Sequence, residues 1–326
     1  MEIPDADLTL LNDEDLTYAK VRLDERSLNT VAASLSTLSD ELARGLIWSS
    51  LWNATRDGEL AATRYLEIVR SHAPAEPNVG LLSATLLNAA FAIGHYVTDD
   101  DRSDQRRAWV DSTWSALQAA DSGSDAQLAW ARAFAAASSF DDSRAADVRA
   151  ILDGDAPQGL PMDADLRWLL LTALASTGHA DAETIAAERA ADDTAAGRTA
   201  EIRALASRPD PSTRAAAWEA AWNDLSLSND HLDATIGGFR AGGRRDLIDG
   251  FDAEYFTRIR DAWSERSIEL AQRLVLGLFP ATDSTEAVDA WLEQNADAPG
   301  ALRRLVIESR DDLARDLRVR AAQPGL

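Results

Sequence analysis

The sequence contains no cysteine and only one lysine, Lys20, so nearly all of its 32 basic residues are arginines. The absence of cysteine excludes a disulfide framework and any metal site built on thiolates. No apolar run reaches the roughly 18 residues that a membrane-spanning helix needs. We therefore expect neither a membrane span nor sulfur chemistry in this chain of 326 residues.

Positive charge is also scarce, since 55 acidic residues outnumber the basic ones and give a net charge of −23. Such a charge repels phosphate backbones and anionic lipids, so we expect no nucleic-acid partner and no membrane partner. The first residues, MEIPDADLTL, have neither the basic region nor the apolar region of a signal peptide. We expect a cytoplasmic location.

Strand patterns are almost missing, and the one candidate lies near the start. Residues 16–23, LTYAKVRL, alternate in the manner of a strand, and residues 8–11 could pair with them across a polar turn at 12–15. We predict a β-hairpin within residues 1–24, followed by a helical domain over residues 25–326. Nothing later in the sequence reads as a strand that could extend this hairpin.

From residue 25 onward, apolar residues recur with the 3.6-residue period of α-helices, interrupted by short polar links. The pattern predicts about sixteen helices, at 26–37, 39–55, 58–72, 78–96, 102–120, 124–138, 142–152, 162–177, 180–192, 195–207, 211–223, 228–239, 244–249, 252–279, 284–294 and 298–321. Helices of this length with short links form antiparallel hairpins. We predict an all-α fold in which these hairpins stack as a HEAT-like α-solenoid, although no fixed-period consensus is visible.

The four histidines give little support for a metal site, because none stands in an HExxH motif. His179 and Glu183 are one helical turn apart and could each supply a ligand. The polar first turn of a helix that follows Gly178 explains the same pair, and we favour that explanation. The histidines are His72, His95, His179 and His231.

Asp100, Asp101 and Asp104 match the DDxxD spacing that holds magnesium in all-α enzymes acting on prenyl pyrophosphates. No second magnesium motif accompanies them at the required offsets. In a chain this acidic, a polar link between two helices is the favoured interpretation, with Ser103 or Asp104 capping the next helix.

A glycine-rich link at 237–245 carries the most unusual basic cluster, formed by Arg240, Arg244 and Arg245. Arginines and backbone amides in such a link could bind a carboxylate. A sharp turn with solvated arginines is the alternative.

The tryptophans include two pairs one helical turn apart, Trp48 with Trp52 and Trp218 with Trp222. Packing between helix layers explains these pairs better than an aromatic ligand groove does. The residues alone therefore predict an acidic helical protein without a catalytic constellation of its own.

Four segments resemble the C-terminal region of bacterial aminopeptidase N, a family of M1 zinc aminopeptidases. Their sequences look like those of its actinobacterial branch. The segments are LLNDEDLTYAKVRLDERSL (10–28), ELARGLIWSSLWNATRDGEL (41–60), AAAWEAAWNDLSLSNDHLDATIGGF (215–239) and LIDGFDAEYFTRIRDAWSERSIELAQRLVLGLFP (247–280). The endoplasmic-reticulum aminopeptidases contain the same type of helical domain.

The resemblance implies a non-catalytic C-terminal part of a longer enzyme. The family's zinc-binding HExxH and its G-x-M-E-N motif lie in a preceding catalytic domain, and neither occurs in this sequence. No catalytic or metal-binding residue is therefore expected here, and zinc is expected in the catalytic domain of the parent. The hairpin would be the last part of a β-sandwich domain.

In the family, this domain is a bowl of HEAT-like hairpins that closes over the catalytic cleft and restricts access of peptides, while the enzyme removes N-terminal amino acids. The expected partners are the upstream catalytic and β-sandwich domains and peptide substrates. Arg240, Arg244 and Arg245 are candidates for substrate contact because of their charge and the neighbouring glycines. The alternatives are a stand-alone helical-repeat scaffold and, more remotely, a magnesium enzyme.

Overall fold

The computed structural model describes residues 5–323, and the regular structure of these residues is entirely helical. The all-α prediction is confirmed, with sixteen α-helices among them. No helix in this part of the chain has the length and apolarity required to cross a bilayer. The helices are α1 Glu25–Ser34, α2 Glu41–Arg56, α3 Ala62–His72, α4 Val79–His95, α5 Asp99–Ala119, α6 Asp125–Ser138, α7 Ala145–Leu152, α8 Ala164–Ser176, α9 Ala182–Ala191, α10 Ala195–Ser207, α11 Pro211–Asn223, α12 Asn229–Phe239, α13 Asp252–Glu265, α14 Ile268–Gly277, α15 Glu286–Gln294 and α16 Gly300–Ala321.

The helices form two compact units. The first unit contains the chain up to Ala133 and the stretch from Arg315 onward, and the second unit is Phe134–Ala314. Each unit has a core of fully buried aliphatic and aromatic side chains. Examples are Ile47, Leu66, Val69 and Leu82 in the first unit, and Phe134, Leu166, Trp218 and Ile259 in the second.

Most helices begin where a side chain caps them. Asp24 accepts a hydrogen bond from the Ser27 amide at 2.7 Å, and Asn78 accepts one from the Leu81 amide at 2.9 Å. Such caps satisfy amides that have no partner inside the helix, and each contributes about 1 kcal/mol. This is why the hydrophobic period and the polar links predicted most helix positions closely.

Two of the predicted helices are wrong. Residues 252–279 form two helices, α13 and α14, because Arg266 is extended and the Ser267 side chain accepts a hydrogen bond from the Leu270 amide. A serine that bonds to the backbone in this way competes with helix continuation. Residues 244–249 form no α-helix, and the chain there makes short 3-10 turns instead.

The start of α5 also differs from the prediction. Thr98 caps this helix, because its hydroxyl oxygen accepts a hydrogen bond from the Asp101 amide at 3.4 Å, so the predicted cap at Ser103 or Asp104 is wrong. Three aspartates then lie in the first turn. Negative charge is favourable there because it opposes the positive end of the helix dipole.

The predicted β-hairpin does not form within residues 5–24, and residues 1–4 of that prediction lie outside the described residues. Asn12 takes the place of strand pairing: its side-chain amide donates to the Thr17 carbonyl at 2.7 Å and its oxygen accepts from the Thr17 amide at 2.8 Å. The following segment instead runs along α2, where the Ser50 hydroxyl donates to the Val21 carbonyl at 2.9 Å. A two-stranded hairpin is only marginally stable by itself, so packing on a helix prevails.

Hydrogen bonds between side chains and neighbouring helices recur at one sequence separation in both units. Asn78 with Glu41 in the first unit, and Ser176 with Ser139 in the second, are each separated by 37 residues. Separations of 35–40 recur further along the second unit. This distance corresponds to two helices and their links, so in each of these pairs a helix, or the residue at its end, contacts the helix two places later.

The pair α2 and α4 illustrates this arrangement. Near their N-termini, the Asn78 side chain donates to Glu41 at 2.5 Å, and toward their C-termini the ring centroids of Trp52 and Phe91 lie 5.9 Å apart. Contacts at both ends show that α2 and α4 run parallel, side by side.

The final turns of α16 lie in the first unit. The Asp316 carboxylate is 2.7 Å from Nδ1 of His95 on α4. The Gln323 side-chain oxygen accepts a hydrogen bond from the Ala62 amide at the start of α3, at 2.8 Å. These contacts join the last described residues to the first helices of the unit.

Core packing of the tryptophan pairs is confirmed. Trp48, Trp218 and Trp222 are buried, and Trp52 is half-buried against Tyr65 and Phe91.

Candidate functional site

The glycine-rich link between α12 and α13 has a specific backbone geometry. Gly242 and Gly243 have φ angles of 74° and 60°, which residues other than glycine rarely adopt. Gly238 lies so close to α10 that an added Cβ would be 2.5 Å from Cβ of Ala206. Gly242 and Gly243 therefore provide the turn, and Gly238 allows α10 and α12 to approach closely. These structural roles explain the glycines without a substrate.

Arg240 binds the end of α14. Its Nη1 donates to the carbonyls of Gly277 at 2.8 Å and Phe279 at 3.2 Å. Burial lowers the pKa of the Arg240 guanidinium, and the nearby charge of Arg245 lowers it further. A cation at a helix C-terminus is favourable because it opposes the negative end of the dipole. Arg240 thus holds α12 and α14 together.

Arg244 and Arg245 each have a carboxylate partner. Arg244 donates to both oxygens of Asp246, at 2.9 and 2.7 Å, and the hydrogen bond to Asp246 raises the pKa of Arg244. Arg245 donates to both oxygens of Asp252. The two arginine side chains remain 44% and 36% exposed, so solvent can reach both.

Arg240 and Arg245 line one small cavity, and Arg244 is not part of its lining. The cavity has a volume of about 30 Å³, which is room for one water molecule. Its walls are mostly aromatic and aliphatic, and Asp252 also lines it. A carboxylate could enter only if Asp252 released Arg245. The lining residues are Trp218, Phe239, Arg240, Arg245, Ile248, Phe251, Asp252, Leu278, Phe279, Pro280 and Ala281.

The aromatic wall of this cavity is closely packed. The ring of Trp218 lies 5.0 Å from that of Phe251 and 5.4 Å from that of Phe239, and the indole nitrogen donates to Glu254 at 3.2 Å. Aromatic pairs at such distances contribute about 0.5–1.5 kcal/mol beyond the area they bury. Arg240 and Arg245 therefore line a cavity whose aromatic wall is held in place by ring packing.

Arg214 is the residue of this region that the sequence analysis did not single out. It is fully buried on α11 and donates to the carbonyls of Gly238 and Phe239 and, at 2.6 and 3.0 Å, to those of Ser207 and Ala241. Burial lowers its pKa to about 10, and the charge of Arg244 acts in the same direction.

The sequence did contain a signal for Arg214. It precedes Trp218 by one helical turn and Trp222 by two, so it occupies the buried face of α11. An arginine on an otherwise apolar face needs partners inside the protein. Here the carbonyls at the end of α12 and in the following turn supply them.

The other candidates are not brought together into a site. His179 lies 3.1 Å from Asp142, its neighbour in the second unit. Asp100, Asp101 and Asp104 are exposed on the first turns of α5. Across residues 5–323, no group of three or more histidine and acidic side chains is placed to hold a metal ion.

Comparison with known proteins identifies the family of this chain. Residues 8–315 match the family described as "ERAP1-like C-terminal domain". Aminopeptidase N of Streptomyces lividans is 41% identical over 318 residues, covering 96% of this chain and 37% of the relative. The chain belongs to the ERAP1-like C-terminal domain family, as its resemblance to aminopeptidase N implied. It spans a little over a third of the length of that relative.

Proposed function

We propose that this chain is the non-catalytic closing domain of an M1-type zinc aminopeptidase and that it controls which peptides reach the catalytic cleft. The observation that carries this proposal is the 41% identity to aminopeptidase N over 96% of the chain. Closure of such a domain would exclude water and bulky chains from the site. The parent enzyme would release N-terminal amino acids from peptides.

The catalytic chemistry belongs to the part of the enzyme that precedes this domain. Neither HExxH nor G-x-M-E-N occurs in this sequence. The histidine and acidic side chains of residues 5–323 form no group that suits zinc. In this proposal the zinc is therefore bound by the preceding catalytic domain. This chain would cover the catalytic cleft and contact the peptide substrate.

The proposed shape is a curved stack of HEAT-like helix pairs. It is supported by the recurring separation of about 37 residues between hydrogen-bonded partners, because stacked repeats contact mainly their immediate neighbours. The parallel arrangement of α2 and α4 is the geometry that such a stack requires within one layer. A concave layer of this kind provides a wide surface for a peptide.

We assign contact with the substrate's C-terminal carboxylate to Arg244 and Arg245. Both are accessible to solvent and both already bind a carboxylate with two hydrogen bonds, which is the geometry a peptide terminus would take over. Arg240 shares the cavity with Arg245, but its bonds to Gly277 and Phe279 give it a role in positioning.

The first test concerns the complete gene. An HExxH motif encoded a few hundred residues upstream is required, and its absence would favour the stand-alone scaffold. The upstream part and this chain are then produced separately, and amino-acid release is measured on peptides of increasing length. We expect the upstream part to bind this chain. In the complex, the dependence of its amino-acid release on peptide length should differ from that of the upstream part alone. Failure to associate, with unchanged turnover, contradicts the proposal.

The second test concerns the two arginines. Arg244→Met and Arg245→Met are each expected to raise KM about tenfold for peptides with a free C-terminus, because a charge-assisted pair contributes roughly 1.5–3 kcal/mol. Peptides with an amidated C-terminus should be unaffected. Arg304→Met is the matched control, since Arg304 is 68% exposed on α16. Equal effects on both kinds of peptide would refute the assignment.

A further inference from the structure

Helix α4 is the least polar surface helix of the first unit. Residues 79–94, VGLLSATLLNAAFAIG, contain no charged side chain, although 27% of the whole chain is charged. One side of α4 packs inward through residues such as Leu82, Leu86 and Ala89. The opposite side is exposed and is also apolar. A helix that is apolar all round is normally covered on every side.

The exposed residues of α4 form one continuous stripe. Leu87 is 72% exposed and Phe91 is 41% exposed, one helical turn apart. Gly80, Ala84 and Gly94 continue the same stripe and are also exposed, and an added Cβ at Gly94 would meet no atom within 4 Å. Small residues beside two large ones leave room for another polypeptide to approach the helix backbone closely.

Helix α2 runs parallel to α4, and its Glu41, next to Leu42, accepts a hydrogen bond from Asn78, two residues before Gly80. Leu42 on α2 is 47% exposed. An added Cβ on Gly45, one turn further, would lie 3.4 Å from the Leu81 side chain of α4. We call the surface formed by Leu42, Gly80, Ala84, Leu87, Phe91 and Gly94 the α2–α4 face.

We propose that the α2–α4 face is the surface on which the preceding part of the same polypeptide packs. This inference rests on the proposed function. This chain covers only 37% of the relative, so about 63% of the relative's length lies outside the matched part. In the proposed enzyme that part belongs to the same polypeptide and would be present at high effective concentration. Permanent interfaces are apolar and poor in charge, whereas surfaces for transient partners are more polar.

The neighbouring residues point to the same occupant. On the other flank of α2, the segment that enters the domain exposes Leu16 and Tyr18, which are 79% and 109% accessible. Its Val21 carbonyl accepts from Ser50 on α2. The entering segment and the α2–α4 face thus lie on either flank of one helix. A domain connected through that segment could cover both without spanning a long distance.

The test uses the absence of cysteine from this chain. Leu87→Cys and, as a matched control, Leu225→Cys are introduced one at a time into the product of the complete gene. Leu225 is 75% exposed, close to the 72% of Leu87. The rate of maleimide labelling at each thiol is read by mass spectrometry of the peptide that contains it. The same variants are measured in the 326-residue chain by itself.

We expect the Leu87→Cys thiol to react at least tenfold more slowly than the Leu225→Cys thiol in the complete protein, and equally fast in the chain alone. Equal rates in the complete protein would overturn the inference. If the complete enzyme still shows length-dependent peptide cleavage in that case, the proposed function stands while this interface fails. Protection that appears in the chain alone and grows with its concentration would assign the face to a second copy, and would also overturn the inference.

Discussion

Arg44 and Glu76 form an ion pair inside the first unit, with Nη2 of the arginine 3.0 Å from Oε1 of the glutamate and both side chains almost inaccessible, at 6% and 2%. Arg44 also donates to the carbonyls of Leu38 and Ser39, at 2.9 and 3.2 Å. Glu76 in turn accepts from the Trp48 indole and the Asn78 amide. The pair therefore fixes the starts of α2 and α4 relative to each other.

Replacing one partner should be costly. We predict that Arg44→Met lowers the free energy of unfolding by about 3–5 kcal/mol, because it leaves a buried carboxylate without its cation. Denaturant titration of the chain measures this loss. Arg64→Met is the control: Arg64 pairs with Glu67 at 2.9 Å, but both side chains are more than 40% exposed. Its cost should stay below about 1 kcal/mol, and an equal cost for both variants would contradict the role given to Arg44.

The same pair predicts how stability depends on pH. Burial by itself would raise the pKa of Glu76, but hydrogen bonds from Arg44, the Asn78 amide and Trp48 together hold it below its usual value. Unfolded, a glutamate titrates near about 4.3. The stabilisation by Glu76 is therefore complete above that pH and is lost as the pH falls through the lower, folded pKa.

Glu76→Gln tests this pH dependence, because it resembles the protonated residue. The variant should be less stable than the parent chain at pH 7, and the difference should shrink as the pH falls below about 4. Denaturant titrations at a series of pH values measure the difference. A gap that stays constant down to pH 3 would show that the Glu76 charge is not what stabilises the fold.

Arg214→Lys should destabilise the second unit although it keeps the charge. The guanidinium reaches carbonyls on α10, on α12 and in the following turn, and a single ammonium nitrogen cannot satisfy all of them. Each buried carbonyl that loses its donor costs about 1–3 kcal/mol. We expect a loss of at least about 2 kcal/mol in the free energy of unfolding. Arg304→Lys, on the surface, should change it by less than about 0.5 kcal/mol.

Gly238→Ala tests the contact between α10 and α12. The added methyl group would be 2.5 Å from Cβ of Ala206 and 2.7 Å from the Arg203 carbonyl oxygen. Overpacking of this kind costs about 1–3 kcal/mol. Gly94→Ala makes the same chemical change in open space on α4 and should stabilise the chain by about 0.5–1 kcal/mol. Thermal unfolding of both variants measures the contrast, and similar shifts would refute the close packing at Gly238.

Much of the fold was predictable because helices leave local signals. The period of the apolar residues and caps such as Asp24 and Asn78 marked most helices without any tertiary information. The break at Ser267 was missed because the apolar stripe continues through it from α13 into α14, which hides a local competition between serine and backbone. The hairpin prediction was wrong for the converse reason. The alternation at 16–23 is a local pattern, but a strand also needs a partner strand. Here the Asn12 side chain makes the hydrogen bonds to the Thr17 amide and carbonyl that a partner strand would make.

The candidate site was predictable only in part. Charge and glycines pointed to the link around Arg240, Arg244 and Arg245, but composition cannot tell which arginine binds carbonyls and which faces solvent. That difference depends on α14, which follows in the chain and supplies the carbonyls for Arg240. Arg214 could have been predicted in another way, because it lies on the buried face of α11 and a buried arginine requires hydrogen-bond acceptors around it.

The contacts of the last turns of α16 have a consequence for the order of folding. The hydrogen bonds between a helix and the one two places later join residues 35–40 apart, whereas Gln323 and Ala62 are separated by 261. Closing the longer loop costs about 1.7 kcal/mol more in chain entropy. The first helices can therefore assemble early with their neighbours, while the bond between Gln323 and Ala62 and the pair of Asp316 with His95 form late. Until then, the start of α3 keeps an unpaired amide, so this corner of the first unit should be the last to acquire protection from hydrogen exchange.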